Sequence, residues 1–223
     1  MRNIRINSTQ DYLKAIYTLQ ENQEPAATST LATLLGITRP SVSAMLKKLA
    51  RKRLVRHTPY RAVALTPAGE RVALEMVRHH RILETYLVRA LGYGWDQVHA
   101  EADRLEHVIS EELEDRLFEA IGRPTHDPHG HPIPARGGRL SGPLPRTLAE
   151  LPVNVPAAIA RVSDRDPAML RYLGARGLVP GTEVTVLAKE PFGGPITVKS
   201  RRVSQVLGPE LARHIRVRGK AIR

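Results

Sequence analysis

Residues 29–51, STLATLLGITRPSVSAMLKKLAR, contain two short segments whose apolar residues recur at helical spacing. Gly36 separates the two segments and suits a tight turn between them. Thr38 can cap the second segment, and Pro40 falls where the first turn of a helix tolerates proline. Two short helices joined by such a turn predict a helix-turn-helix.

The residues on either side extend this motif to a winged helix. Helical spacing over residues 9–19 predicts a preceding helix, while Leu54–Arg56 and Ala62–Leu65 alternate like strands. Residues 58–61 form the turn of this hairpin, which is the wing. Residues 66–91 then predict a long fourth helix, with Thr66-Pro67 at its start.

After the wing the sequence pattern changes twice. Residues 95–121 predict one long helix or two abutting helices, with an apolar stripe suited to a partner helix. That stripe consists of Val98, Leu105, Val108, Ile109, Leu113, Leu117 and Ile121. Residues 122–149 are rich in proline and glycine and predict a linker, and short alternating segments after it predict a small β-barrel. We therefore expect a mainly helical α+β fold.

Charge indicates the kind of partner. The chain of 223 residues has a net charge of +12, which favours a polyanionic partner. The charge is divided into +7 over residues 1–70, −5 over residues 71–121 and +10 over residues 122–223. This division indicates three functional segments, and the acidic middle argues against a general nucleic-acid-binding protein.

Composition also excludes several classes of site and protein. The absence of cysteine excludes disulfides and thiolate catalytic or metal sites, and it fits a reducing cytosol. No run approaches the roughly 18 apolar residues of a membrane-spanning helix. The amino terminus lacks an apolar signal-peptide core. We therefore expect a cytoplasmic protein with no membrane partner.

Histidines and carboxylates share faces on two predicted helices of the acidic middle. His80 and Glu84 are four residues apart, and a second face follows at i, i+4, i+7 and i+8. The second face consists of His99, Asp103, Glu106 and His107. Acidic helix faces are usually only solvated. Six ligand-type side chains on two faces within a basic chain instead favour a first-row divalent cation.

Four stretches carry a resemblance to a known family: TQDYLKAIYTLQ, TRPSVSAMLKKLARKRLV, LTPAGERVALEMVRHHRILETYL and, above all, VHAEADRLEHVISEELEDRL. They resemble the diphtheria-toxin-repressor and manganese-transport-regulator family of metal-activated, dimeric transcriptional repressors. The resemblance covers residues 1–121 closely. The linker stretch DPHGHPIP and the tail, which is similar to a small SH3-like (FeoA-like) domain, extend it.

The resemblance implies four segments and two metal sites. The segments are a winged helix-turn-helix at 1–70, a helical metal-binding and dimerisation domain at 71–121, a linker at 122–149 and an SH3-like domain at 150–223. The activating site would use Asp11, Asp103, Glu106 and His107. The second would use His80, Glu84 and His99, with His80 as a possible bridge and a tail side chain completing it.

Certain residues depart from the family pattern. Iron-responsive members have methionine and cysteine where Asp11 and Asp103 stand, and two hard carboxylates shift the preference toward Mn²⁺, with Fe²⁺ as the alternative. Lys14 stands where manganese-responsive members carry a glutamate, so a closely coupled pair of ions is not expected. Asp164 and Asp166 are the nearest oxygen donors of the tail.

A further group of histidine and aspartate lies in the linker. It consists of His126, Asp127, His129 and His131. Because the segment is rich in proline, we expect these side chains to be unordered and assign them no site.

The recognition helix carries the predicted DNA contacts. Arg39, Pro40, Ser41 and Ser43 lie at its start, where base edges are met, and Arg39 is the candidate for reading guanine. The predicted phosphate contacts are Lys47, Lys48, Arg51, Arg56 and Arg61.

These features predict a metal-dependent transcriptional regulator that binds double-stranded operator DNA as a homodimer when metal-loaded. Mn²⁺ is favoured as the cofactor, and repression of metal-uptake genes is the expected role. The alternative is a metal-independent winged-helix regulator whose acidic middle is only a dimer interface. An enzyme is not expected, because the chain has no HExxH, GxSxG or glycine-rich phosphate loop.

Overall fold

The structure, a computed structural model, describes residues 9–58, 61–138 and 143–219. Its helices are α1 Thr9–Glu21, α2 Thr28–Leu35, α3 Arg39–Arg51, α4 Pro67–Leu91, α5 Val98–Leu105, α6 Glu111–Ala120, α7 Pro167–Ala175 and α8 Pro209–Arg213. Its strands are β1 Val55–Arg56, β2 Ala64–Leu65, β3 Arg146–Thr147, β4 Pro156–Val162, β5 Glu183–Lys189, β6 Ile196–Ser200, β7 Val203–Leu207 and β8 Ile215–Gly219. No helix within these residues has the length and apolar character needed to cross a membrane.

The described residues form two compact units. The first takes in residues 9–80, apart from 59–60, together with 106–109, 134–138 and 143–144. The second takes in residues 81–105, 110–133 and 145–219. Helix α4 is shared, since its first part belongs to one unit and its remainder to the other.

The first unit is the predicted winged helix. Gly36 ends α2 with a left-handed φ of 64°, and the side chain of Thr38 caps α3 by accepting from the backbone N–H of Ser41. Strands β1 and β2 pair antiparallel as the wing, and part of its predicted turn, residues 59–60, lies outside the described residues. Apolar side chains of α1, α2, α3 and the wing fill one core, which holds the recognition helix in place.

The acidic middle resolves into two helices. Helix α5 ends at Leu105, and Ser110 begins α6 by accepting from the backbone N–H of Leu113. Glu106 and His107 lie between the two helices and belong to the first unit. Within the predicted apolar stripe, Val108 is 76% exposed and Leu113 is 43% exposed.

The second unit contains the predicted barrel. Its six strands are antiparallel neighbours in the order β3-β8-β4-β5-β6-β7 around an apolar core. Strands β3 and β7 and helix α8 were not predicted from the sequence, and β3 lies at the end of the segment predicted as a linker. The residues of β7, VSQVL, are mostly exposed and lack the regular alternation by which β4, β5, β6 and β8 were predicted.

The linker has neither helix nor regular strand over residues 122–138, as predicted, but part of it is ordered and buried. The expectation that its histidines are unordered was wrong, because His129 is fully buried and Asp127 and His131 are each 6% exposed. The backbone N–H of Val162 on β4 donates to the carbonyl of His129. Gly130 has a φ of 88°, a conformation that favours glycine, so a tight turn folds this segment onto the barrel.

Gly130→Ala should detach this turn and destabilise the fold. An added Cβ would overlap the backbone carbonyl of Ala160, whereas at Gly137, which also has positive φ, it would meet nothing within 4 Å. Since the φ strain is common to both, we expect Gly130→Ala to lower the free energy of unfolding by at least about 2 kcal/mol more than Gly137→Ala. Denaturant unfolding of the two variants measures this, and equal losses would contradict the close packing.

Candidate metal centres and nucleic-acid interface

Asp11, Glu106 and His107 form the first candidate centre. Each offers one ligand atom, and the three atoms lie within 4.8 Å of one another. His107 Nε2 is 2.7 Å from Asp11 Oδ1 and 3.6 Å from Glu106 Oε1. Asp11 comes from the first turn of α1 and the other two from the segment after α5. Two carboxylates and an imidazole suit Mn²⁺ or Fe²⁺, so the donor set fits a divalent cation.

Glu106 is the buried member of this centre, at 2% exposed. Lys14 Nζ donates to both of its carboxylate oxygens, at 2.9 and 2.7 Å, and His80 Nδ1 lies 2.5 Å from Oε2. Burial opposes ionisation, but the hydrogen bond and charge of His80 and the charge of Lys14 leave the pKa of Glu106 below its usual value. The side chain is therefore held as a carboxylate, the form that binds metal.

Lys14 places a positive charge in the first centre. Its ammonium nitrogen is 2.8 Å from His80 Nδ1 as well as bonded to Glu106. Lys14, the residue that departs from the family pattern, therefore lies in direct contact with the ligand residue Glu106. A protonated lysine has no lone pair with which to bind a metal. It also donates to the carboxylate oxygens of Glu106 that a metal would bind.

Glu84, His99 and Asp164 form the second candidate centre, with ligand atoms within 4.8 Å of one another. His99 Nδ1 is 3.1 Å from Glu84 Oε1 and 3.9 Å from Asp164 Oδ2. Burial opposes the ionisation of Asp164, but the charges of His131 and His99 lower its pKa well below the usual range. The barrel segment after β4 thus supplies an oxygen donor to residues of α4 and α5.

The other predicted ligands have distinct places. His80 lies on α4, four residues before Glu84, and contacts Glu106. Asp103 lies on α5 with its side chain 40% exposed, and its carboxylate is 3.7 Å from His99 Nε2. Asp166 is the N-cap of α7, where it accepts from the backbone N–H groups of Ala168 and Met169, so its role is to hold that helix.

The structure also brings together three side chains that sequence reasoning left without a site. Asp127, His129 and His131 of the linker have ligand atoms within 4.8 Å of one another, and all three are buried. The signal was present in the stretch DPHGH, where two histidines at i and i+2 follow an aspartate. The proline content of the segment led us to expect unordered side chains, so no site was assigned to this stretch.

The predicted DNA-contacting residues lie on the surface of the first unit. All nine are exposed except Ser43, which is half-buried. They are Arg39, Pro40, Ser41, Ser43, Lys47, Lys48 and Arg51 on α3 and Arg56 and Arg61 in the wing. Val42, Leu46 and Leu49 on the opposite side of α3 are fully buried. The helix therefore presents its basic and hydroxyl side chains outward, as major-groove readout requires.

Comparison with known proteins agrees with this arrangement. Residues 6–63 match the family described as iron dependent repressor, N-terminal DNA binding domain. Residues 66–135 match its metal binding and dimerisation domain, and residues 146–219 match the FeoA domain. The iron-dependent repressor IdeR of Mycobacterium tuberculosis is 33% identical over 95% of this chain and 97% of its own length. The chain belongs to the iron-dependent repressor family.

Solved structures of related repressors have the same fold. A manganese-dependent transcriptional repressor in complex with manganese is 41% identical, covers 96% of this chain and 100% of its own, and has a TM-score of 0.90. The manganese regulator SloR is 30% identical, covers 96% of this chain and 99% of its own, and has a TM-score of 0.82.

Family membership confirms several predictions made from the sequence. This repressor is a metal-dependent transcriptional repressor with a helical DNA-binding domain, a helical metal-binding domain and a FeoA-type β domain. The predicted family and fold class are correct, and the family consists of DNA-binding repressors and not of enzymes. Both Mn²⁺ and Fe²⁺ fit as cofactors.

Lys14→Gln should tighten metal binding at the first centre of the repressor. At an effective dielectric constant of about 20, unit charges about 4 Å apart repel by about 4 kcal/mol, and Lys14 contacts both oxygens of Glu106. We expect a gain in Mn²⁺ affinity of about tenfold or more, equivalent to about 1.4 kcal/mol. Electron paramagnetic resonance of free Mn²⁺ measures it, with the exposed Lys47→Gln as control. Weaker binding by Lys14→Gln would mean that the lysine supports the site.

Proposed function

We propose that this repressor binds an operator as a homodimer when loaded with Mn²⁺, or alternatively Fe²⁺, and represses genes of metal uptake. The observation that carries the proposal is the cluster of Asp11, Glu106 and His107. It joins α1 of the winged helix to the segment that follows α5. Because operator DNA lies in the cytoplasm, the protein would act there.

Charge explains why a cation would favour the DNA-competent form. Asp11 and Glu106 place two carboxylates close together, with Glu106 buried and Asp11 part-buried, where they repel each other unless positive charge beyond that of Lys14 is present. A bound divalent cation supplies that charge. The ligand side chains then hold α1 against the segment that contains Glu106 and His107. A fixed α1 packs in the same core as α2 and α3, which shifts the population toward a recognition helix placed for DNA.

The ligand sets follow from the two clusters. We assign Asp11, Glu106 and His107 to the activating ion, with His80 orienting Glu106 through their contact. The family resemblance of the sequence also implies Asp103 as an oxygen ligand of the activating ion. We assign Glu84, His99 and Asp164 to the second ion.

Two observations support Mn²⁺ over other metals. The activating set contains only carboxylates and imidazole, and hard oxygen donors favour Mn²⁺ over softer cations. The solved relative that is 41% identical is described as manganese-dependent. The relatives described as iron-dependent are 33–34% identical over 95% of the chain, which keeps Fe²⁺ as the alternative.

Each of the four sequence segments has its own role in this proposal. We propose that residues 1–70 read DNA and residues 71–121 hold metal and the dimer contact. Residues 122–149 connect these to residues 150–223, the FeoA-type domain. The exposed Val108 and Leu113 are the parts of the acidic segment that a second copy would cover.

A mobility-shift titration tests the proposed activation. The DNA is the promoter of a metal-uptake gene from the same genome, with chelator, Mn²⁺, anaerobic Fe²⁺, Zn²⁺ and Mg²⁺ compared. Binding should appear with Mn²⁺ or Fe²⁺ and be lost in Glu106→Ala, whereas Glu112→Ala, whose carboxylate is 75% exposed, should behave like the wild type. Equal binding with chelator would replace the proposal by a metal-independent winged-helix regulator.

Two substitutions on α3 should separate base reading from phosphate contact. Arg39→Ala removes a side chain placed to read guanine, and we expect it to cost about 1–3 kcal/mol on operator DNA and little on random DNA. Lys47→Ala should weaken binding to both and reduce the salt dependence, because one phosphate contact is lost. Anisotropy titrations at several salt concentrations measure both. Equal losses on specific and random DNA from both variants would refute the division.

A further inference from the structure

We propose that the hairpin of β6 and β7 in the FeoA-type domain is a second DNA-contacting element, which binds backbone phosphates of the duplex. Its three basic residues are Lys199, Arg201 and Arg202, and we call them the hairpin cations. None of them belongs to the winged helix or to a proposed ligand set. The proposal rests on operator binding, which is part of the proposed function, and adds a contact surface to it.

Strands β6 and β7 form a regular ribbon at one edge of the sheet. They pair antiparallel along their whole length, and β7 is the last strand in the sheet order. Because Ser200 pairs with Val203, Arg201 and Arg202 make up the loop between the strands. The major groove of B-DNA admits a two-stranded ribbon of this kind.

The loop of this ribbon has arginine where glycine or asparagine is usual. The φ of Arg201 is 54°, in the left-handed region that the first position of a two-residue hairpin loop requires and that most side chains avoid. Arg202 follows directly, and both residues are exposed. Two guanidinium groups thus stand at the tip of the ribbon against the local backbone preference, which indicates a purpose beyond forming the turn.

Lys199 extends the positive charge from the loop onto the outer face of the ribbon. Its neighbours across the strands are Ser204 on β7 and Thr185 on β5. Lys199 and Ser204 are exposed, whereas Val198 and Ser200, the residues on either side of Lys199, are buried. An ammonium group beside hydroxyl groups is a set of donors that proteins use for phosphate oxygens.

The hairpin cations have no ion-pair partner among the described residues. Residues 196–207 contain no carboxylate, and no described side chain forms an ion pair or hydrogen bond with any of the three. Other cations of the domain do have partners, namely Arg171 with Asp96, Arg213 with Glu210, and Lys189 with the carbonyl of Ala149. The charge of the hairpin is therefore open to an external anion.

Protection of the sheet edge does not account for these charges. Edge strands often carry lysine or other charged side chains that prevent pairing with another chain. The edge strand here is β7, and its sequence VSQVL has no charged residue. Lys199 lies one strand further in, on β6. The position of the charges thus fits binding and not edge protection.

Duplex DNA is the partner that this charge pattern fits best. The family binds operator DNA, and DNA carries one negative charge per about 1.7 Å of helix axis. Cations brought to the duplex by the winged helix release counterions without reading sequence. The acidic middle of a second copy would offer a sparser set of negative charges, partly balanced by its own basic residues. We therefore expect the hairpin to add affinity and salt dependence but no base preference.

The salt dependence of DNA binding by the full-length repressor tests the hairpin. The duplex extends well beyond the operator on both sides, and Mn²⁺ is present. In Arg201→Gln/Arg202→Gln the slope of log K against log salt concentration should fall by about 1.8, because each phosphate contact contributes about 0.9. The wild type should then lose about tenfold more affinity than the double variant between about 50 and 200 mM salt.

The control and a random duplex separate this effect from others. Arg213→Gln is the matched control, because Arg213 is an exposed arginine of the same domain that is paired with Glu210, and it should leave the slope unchanged. The fall in slope should be the same on operator and random DNA. Binding insensitive to chelator would refute the proposed metal activation but would leave the difference in slopes, and hence this test, intact.

The absence of cysteine from the chain provides a second readout that removes no charge. Ser204→Cys places a single thiol on the hairpin, to which a photoreactive azidophenacyl group can be attached. Irradiation of the complex should cross-link this variant to DNA, but not Arg213→Cys, in α8 beyond the far end of β7. Equal salt slopes in the wild type and the double variant would overturn the proposal. So would a cross-link from Ser204→Cys to a second copy in place of DNA, which would assign the hairpin to a protein interface.

Discussion

The carboxylate of Glu106 is almost completely buried, and a buried carboxylate requires positive charge nearby. Within the first unit, Lys14 and His80 supply this positive charge to Glu106, with His80 at Oε2. His107 lies 3.6 Å from the other carboxylate oxygen, Oε1. Asp11 adds a second carboxylate to the same place. The position of α1, which carries both Asp11 and Lys14, therefore depends on how charge is balanced around Glu106, and α1 shares its core with the recognition helix.

In the second unit, too, buried carboxylates require positive charge nearby, and other side chains supply it. Glu84 is fully buried beside His129 and His99, and Asp164 lies near His99 and His131. These side chains come from two helices, the linker and the barrel. Opposite charges in a medium of low dielectric hold these elements together more effectively than they would in water. If Glu84, His99 and Asp164 hold the second ion as proposed, the FeoA-type domain contributes one of its ligands through Asp164.

The sequence predicted the elements of this fold well where periodicity is regular. The winged helix follows from the apolar spacing around Gly36 and Pro40, and the cap at Thr38 formed as expected. Strand β7 was missed because its side chains are mostly exposed and show no alternation. Asp11, Glu106 and His107 could be grouped only through the resemblance, since α1 is far from α5 in the chain. The buried linker was not predictable from proline content, because its order depends on tertiary contacts such as that of His129 with β4.

Thermodynamic linkage tests the central claim, that charge at the Asp11–Glu106–His107 centre controls the DNA-competent form. Mn²⁺ affinity is measured by the resonance signal of free Mn²⁺, with and without the operator duplex, in the wild type and in Asp11→Asn. If metal and DNA binding are coupled, the duplex must tighten Mn²⁺ binding by the factor by which Mn²⁺ tightens DNA binding. We predict a factor of about ten or more in the wild type and none in Asp11→Asn. Equal Mn²⁺ affinity with and without the duplex in the wild type would contradict the account.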